Sequence, residues 1–322
     1  MKQFNVTQKK LLIALADGNY HKGNELGEGI GVSRAAICKQ IKQLKNLGAP
    51  LCAHSKFGYK LKRPMHFLNQ NFIQKNTLHP INLHLFASID STNRFLKSHP
   101  PSDAIDICCA ETQTAGRGRF NRAWHSPFAE NIYCSVRWHF DRDLSELSGL
   151  SLLVSLAVLK TLKPYIADND LQIKWPNDIL WNHKKLCGVL IEVVAESNDS
   201  ANVIIGMGIN INSITEEQPP LTQPWCSLFD ITGNVTDRNQ ILTVLISNLI
   251  DHLDAFKKNG FAPFLPYWHT VDALQGKKIT VSHANNHITG RANGVSNTGQ
   301  LLLIDQNNTT HCLSSGEASL LK

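Results

Sequence analysis

At 322 residues the chain exceeds one typical domain, and 42% hydrophobic content is ample for packed cores, so two or three compact globular units are expected. The formal charge of +6 is unevenly spread: residues 1–64 hold twelve Lys or Arg against Asp17, Glu25 and Glu28, an excess of +9, while the remainder carries 20 basic against 23 acidic residues. Eight cysteines with no C-x-x-C pair and no regular ladder argue against a zinc site or a disulfide framework and leave reduced thiols.

From the start, Met1 is not followed by the charged and then apolar pattern of a leader. Leu11, Leu12 and Leu15 sit at helical spacing, Asp17-Gly18-Asn19 ends that run, and 24–29 form a second short helix around Leu26. Ser33 is a good N-cap for a third helix in which Ile37, Ile41 and Leu44 recur at i, i+4 and i+7 and face inward. Lys39 and Lys42 then fall on the outer face, with Arg34 at the exposed first turn, as a helix that reaches base edges and phosphates requires. Residues 51–61, turning at Ser55-Lys56-Phe57-Gly58, suit a small hairpin or wing. Any amphipathic helix carries charges outside, but here the +9 excess coincides with the order helix, turn, helix, hairpin, so nucleic acid is the expected polyanion.

Pro64 marks a boundary, after which strands and helices alternate. Strands are expected at 83–89, 104–111, 131–140, 171–175, 186–194 and 202–209, and helices near 91–98, 148–162 and 237–258, a mixed α+β pattern. The longest apolar stretch, 147–162, is broken by Ser148, Ser151 and Ser155, so no membrane span is expected and a cytoplasmic location follows by elimination. From about Gly276 short strands at 278–281, 288–292 and 301–304, separated by Asn- and Gly-rich turns, indicate a small all-β cap.

Three stretches carry chemistry. Gly116-Arg117-Gly118-Arg119-Phe120-Asn121-Arg122-Ala123-Trp124 packs arginines among glycines after a strand: glycine lets backbone N–H groups approach a ligand, and arginine forks bind carboxylate or phosphate. An anionic ligand is implied, though arginine clusters also occur on plain solvated loops, and the absence of Gly-Lys-Ser/Thr excludes a Walker A loop. In Lys174-Trp175-Pro176-Asn177-Asp178, followed by Lys184-Lys185-Leu186-Cys187-Gly188 and a strand ending at Glu192, a lysine at a strand start can hold a phosphoryl or carboxyl oxygen, and an acid nearby can accept a proton. Gly206-Met207-Gly208-Ile209-Asn210 lacks the third glycine and opening helix of a dinucleotide fold and reads as a strand end facing a ligand.

Together these stretches resemble the biotin protein ligase family, whose motifs are a GRGRxGRxW loop, a KWPND turn followed by KLxGxLxE, and a GxGxN strand. With Ser91-Thr92-Asn93, the basic N-terminal module and the β-rich tail, the resemblance covers nearly the whole chain and extends to the subfamily of bifunctional ligases and biotin operon repressors. It implies an α+β chain in three parts: a winged helix-turn-helix at 1–64, a class II synthetase-like mixed-sheet ligase domain at 65–272 and an SH3-like β-barrel at 273–322. Biotin would be held by Ser91, Thr92, Asn93, Gln113, Gly116, Arg117, Gly118, Arg119, Trp124 and Lys185. The nucleotide would meet Arg119, Asn177, Lys185, Asn210 and Trp225, and the catalytic set would be Arg119, Lys185 and Asp178. DNA would be contacted by Lys22, Ser33, Arg34, Ala35, Lys39 and Lys42. One departure stands out: Asn121 occupies the position of the motif's third glycine, with the bulky Phe120 beside it.

The implied substrates are biotin and ATP, the latter with Mg²⁺ and no protein-held metal site. The partners are a biotin carboxyl carrier protein and operator DNA bound by a homodimer, with biotinyl-5'-AMP as corepressor and no membrane involved. Two rivals remain. One is a biotin-sensing transcription factor without ligase activity, which the retention of Arg119, Lys185 and Asp178 opposes; the other is a lipoate ligase-like acyltransferase, whose relatives have a glycine-rich, histidine-containing motif in place of GRGR.

Overall fold

The structure, a computed structural model, describes residues 1–141, 147–166, 170–197, 200–283 and 286–320. The basic segment forms α1 (Val6–Leu15), α2 (Gly23–Ile30), α3 (Arg34–Asn46) and the antiparallel hairpin β1 (Leu51–His54) and β2 (Gly58–Leu61). Local chemistry sets the ends: Asn5 and Gln8 form a capping box on α1, Gly31 at φ 81° ends α2, and Ser33 accepts a hydrogen bond from the Ala36 N–H to start α3. Leu11, Leu15, Ile37 and Leu44 are buried together beneath the wing. That small core also takes in Met65, Phe128 and Ala129.

The central part runs α4 (Gln70–Asn76), β3 (Ile81–Phe86), α5 (Thr92–Ser98), β4 (Ile105–Ala110), β5 (Ile132–Phe140), α6 (Leu150–Leu162), β6 (Leu171–Lys174), β7 (Asp178–Trp181), β8 (Lys184–Ser197), β9 (Ser200–Ile209), α7 (Leu228–Thr232), α8 (Arg238–Asn259) and α9 (Leu265–Val271). Its seven strands lie in the order β3-β4-β5-β9-β8-β7-β6, with β3 and β4 parallel and every other pair antiparallel. Side chains alternate across this sheet. Cys134, Val136, Ile205 and Met207 join the apolar core with α6 and α8, whereas Ile204, Cys108 and Ala110 pack with Phe95 and Leu96 of α5 on the other side.

The cap consists of β10 (Lys278–His283), β11 (Asn286–Val295), β12 (Leu301–Ile304), β13 (Thr310–Leu313) and β14 (Glu317–Leu320), an antiparallel sheet in the order β13-β12-β11-β10-β14. The sequence pattern misses β13 and β14 because both are short and largely polar or exposed. It also misses α4, β7, α7 and α9, each seven residues or fewer. No helix among the described residues is long and apolar enough to cross a membrane.

The end of the N-terminal unit and the residues that follow it are fastened to the central part by polar contacts, most of them buried. Arg238, fully buried, donates to the His66 carbonyl at 2.6 Å, to the Asn131 carbonyl at 2.9 Å and to Glu111 Oε2 at 2.6 Å, while Glu111 Oε1 accepts from the Leu68 N–H at 2.7 Å. A buried ion pair of this kind is tolerated because each charge also has hydrogen-bonding partners. Arg63 reaches the buried Glu130 at 2.5 Å, and Lys62 reaches Glu217 at 2.7 Å. The linker is thereby fixed in place by Glu111 just after β4, Arg238 of α8, Glu130 and Glu217.

Candidate active site

Cross-strand register creates an open patch on the sheet face away from α6 and α8. Ser135, Gly206 and Leu190 lie in one row, and Tyr133, Gly208, Gly188 and Asp178 in the next. Directly paired residues share a face, so two glycines side by side leave bare backbone where side chains would stand. Trp124 lies on that backbone: a Cβ on Gly208 would come within 2.4 Å of its ring, and one on Gly188 within 3.0 Å. Around this floor is a cavity of about 820 Å³, a size that suits a nucleotide-sized ligand.

Every residue that the family resemblance assigns to biotin or nucleotide lines this one cavity, except Gly116. Gly116 lies just behind the lining, where a Cβ would press to 2.8 Å from the Trp124 carbonyl oxygen. The arginine loop is a small hairpin, closed by the Gly118 N–H donating to the Arg122 carbonyl at 2.7 Å and the Trp124 N–H to the Gly116 carbonyl at 2.8 Å. Its tip holds Phe120 at φ 54° and Asn121 at φ 55°, both left-handed. Asn121 thus keeps the conformation of the glycine it replaces, as asparagine can, while Phe120 carries a strain the sequence did not announce.

The loop turns Arg117 and Arg119 inward. Arg119 donates to the Gly316 carbonyl at 2.8 Å and lies 3.4 Å from Asn177 Oδ1, and burial lowers its pKa from the usual guanidinium value. Arg117 Nη2 stands 3.5 Å from Glu192 Oε1. Arg117 Nε and Trp124 Nε1 are buried and meet no acceptor among the described residues, so both can serve a ligand. At the opposite wall Lys185 Nζ pairs with Asp178 Oδ1 at 2.7 Å and sits 5.5 Å from the Trp124 ring centre.

Residues 224–226 are strapped to Lys185, whose N–H donates to the Pro224 carbonyl and whose carbonyl accepts from the Cys226 N–H, which brings Trp225 beside the same lysine. Asn210 supports this strap by donating to the Cys226 carbonyl at 3.1 Å. Lys174 stands at the end of β6, in keeping with the strand expected at 171–175, and Lys185 is near the start of β8. Burial pushes the Lys174 pKa down, with Asp178 and Glu317 opposing it. Glu317 and Lys174 both line the cavity and were not singled out as ligand residues from the sequence; Glu317 comes from β14 of the cap, far along the chain, where no local motif marks it.

On the N-terminal unit Lys22, Ser33, Arg34, Ala35, Lys39 and Lys42 are all exposed. The structure therefore groups the expected DNA contacts at the start and outer side of α3 and the start of α2.

Comparison with known proteins agrees with this geometry. Residues 85–210 match the model of the biotin/lipoate A/B protein ligase family, and residues 7–60 match an HTH domain. The bifunctional ligase/repressor BirA of Escherichia coli is 34% identical over 317 residues, covering 98% of each chain, and that of Bacillus subtilis is 30% identical over 307 residues, covering 92% of this chain and 94% of its own. The biotin protein ligase from Aquifex aeolicus, solved with biotin and ATP, superposes with a TM-score of 0.65 at 28% identity, over 75% of this chain and 99% of its own. The chain belongs to the family of bifunctional biotin ligase/repressor proteins.

Proposed function

We infer that the chain is an ATP-dependent biotin protein ligase that forms biotinyl-5'-AMP and transfers biotin to a lysine of the biotin carboxyl carrier protein, and that with the adenylate bound it represses biotin synthesis genes. The observation that carries this reading is the convergence of Arg117, Arg119 and Lys185 on the cavity lined by Trp124, which lies on the bare backbone of Gly188 and Gly208. Biotin's carboxylate attacks the α-phosphorus of ATP and pyrophosphate leaves; the acceptor amine then attacks the acyl carbon and AMP leaves. Arg119 and Lys185 place positive charge where oxygens gain negative charge in both steps, and Asn177, Asn210 and Trp225 hold the nucleotide. Asp178 fixes the Lys185 ammonium and takes the proton of the attacking amine. Mg²⁺ would enter with ATP and neutralise its phosphates.

In this division of labour residues 1–64 bind operator DNA, 65–272 carry the chemistry and 273–322 close over the arginine loop, in a cytoplasmic protein. A homodimer would place two α3 helices on a two-fold operator. Purified protein incubated with ATP, Mg²⁺, labelled biotin and a carrier domain is expected to transfer label to the carrier; no label transferred would refute the ligase. Sedimentation with operator titration tests the repressor: adenylate should raise dimer fraction and DNA affinity together. Replacing Lys39 and Lys42 by Ala should weaken operator binding and flatten its salt dependence by about 0.9 log unit per lost phosphate contact, with ligase activity retained. DNA binding indifferent to the adenylate would leave only the ligase.

A further inference from the structure

Beneath the ligand-facing groups lies a hydrogen-bonded chain that begins at one end of the arginine loop and returns to the other. Glu192, on the cavity face of β8, accepts from Asn93 Nδ2 at 2.8 Å through Oε2, and its Oε1 lies 3.5 Å from Arg117 Nη2. Asn93 Oδ1 is 2.6 Å from the hydroxyl of Ser135, and that hydroxyl is also 2.7 Å from Thr92 Oγ1. The N–H of Thr92 donates to Gln113 Oε1 at 2.9 Å, and the Thr92 hydroxyl oxygen lies 3.1 Å from the same atom. Gln113 Nε2 then donates to Ser126 Oγ at 3.3 Å, and Ser126 donates to the Trp124 carbonyl at 3.1 Å.

The carboxylate gives this chain its direction. An ionised Glu192 can only accept, so Asn93 must turn its NH₂ to it and its oxygen to Ser135. Ser135 has one proton and two oxygens in reach; donating it to Asn93 leaves the Ser135 oxygen to accept from the Thr92 hydroxyl, while Gln113 Oε1 takes the Thr92 N–H. Ser135 is completely buried, so an unmatched donor or acceptor here could not turn to water. The neighbouring strand makes room for the arrangement: Gly206 pairs with Ser135, and a Cβ on it would come within 2.3 Å of Asn93 Oδ1. Its amide is thus held on both sides while Asn93 still lines the cavity.

We propose that Glu192 and Ser135 are positioning residues for biotin, fixing the donor and acceptor pattern of Thr92 and Asn93 and restraining Arg117 at a distance that leaves its guanidinium able to turn to the biotin carboxylate. The inference rests on the ligase reading above. Glu192→Gln keeps the shape but replaces one acceptor oxygen by an NH₂, which must face either the Asn93 NH₂ or the Arg117 guanidinium, both donors, so one of the two contacts is lost or Asn93 flips and presents its own NH₂ to Ser135.

Calorimetry and steady-state kinetics on the full-length protein test this. E192Q should weaken biotin binding about tenfold or more, as loss of a charge-assisted contact implies, with the loss in biotin KM rather than in kcat or the KM for ATP. Ser135→Ala should show the same split. The double variant N93D/E192Q exchanges donor and acceptor between the two positions: the new carboxylate on α5 accepts both from the new amide on β8 and from the Ser135 hydroxyl, and much of the biotin affinity should return. Parent-like biotin binding by E192Q overturns the proposal, as does an equal loss of biotin and ATP affinity with a fall in Tm, or a double variant no better than E192Q. A parent protein that fails to bind biotin at all would instead refute the ligase reading.

Discussion

On β5, β8 and β9 successive residues stand in opposite environments. Cys134, Val136, Ile205, Met207 and Cys187 fill the space under α6 and α8, while their neighbours Gly206, Gly208 and Gly188 leave space over the cavity. The first face is stabilised by volume that leaves no gaps. On the second, glycines let Trp124 and Asn93 rest directly on backbone and keep polar groups within reach of a ligand. Stability and chemistry are thus separated by the thickness of one sheet, and a change on one side should register mainly on that side.

The sharpest test of that separation is a large-to-small change on the helical face. Leu153 on α6 is fully buried in the core. Leu153→Ala should cost about 2–5 kcal/mol of stability in denaturant unfolding, from lost burial and the cavity left behind, while biotin affinity of the folded protein stays near that of the parent. A proportionate loss of affinity would break the comparison. Lys185→Ala on the other face should do the reverse: adenylate formation should fall roughly 10²–10³-fold, as when a charge-stabilising group is removed, with a much smaller effect on unfolding. Adenylate formation at the parent rate would remove Lys185 from the mechanism.

Gly208→Ala probes the floor itself. Its methyl group would stand 2.4 Å from the Trp124 ring, so the indole must shift, at a cost of about 1–3 kcal/mol for overpacking. Weaker biotin binding with altered tryptophan fluorescence is expected; unchanged affinity would mean that the Trp124 position does not matter to the ligand.

What the sequence revealed and what it hid divide along similar lines. The arginine loop and the Lys174–Asp178 turn were legible because their chemistry lies in consecutive residues, and α3 was legible because one capping serine and three apolar positions at helical spacing suffice. Glu317 was not, since it reaches the loop across 195 residues from a four-residue strand. The engagement of Asn93 with Glu192 was hidden for the same reason: partners 99 residues apart are joined only by strand register. The left-handed Phe120 was hidden differently, because nothing local marks a bulky residue forced by its neighbours into a conformation suited to glycine.

The smallest expected effect concerns how the arginine loop is held over the cavity. Arg122 donates from both terminal nitrogens to the two Glu317 oxygens, each at 2.6 Å, a bidentate pair between the loop and β14. It is also solvent-exposed, with side chains 62% and 37% accessible, so water screens it and its contribution at neutral pH should be no more than about 1 kcal/mol. The Arg122 hydrogen bonds hold the Glu317 pKa below its ordinary 4.5, with partial burial opposing them. A carboxyl whose pKa is lowered by folding stabilises the fold above its ordinary value, and that contribution disappears as pH falls through the lowered one. Glu317→Gln should therefore be slightly less stable than the parent at pH 7, and the two should converge as the pH falls below the ordinary carboxylate range. At neutral pH the variant should also release adenylate faster, because the loop loses its charged pair to β14 and is left with the Arg119 contacts to the Gly316 carbonyl and Asn177. A stability difference that persists unchanged at low pH would show that the side chain acts by packing, and unchanged adenylate release would show that the loop stays closed without this pair. Convergence with faster release would mean that the cover of the polar face is held by a contact weak enough to open on each turnover, in contrast to the fixed helices on the other face.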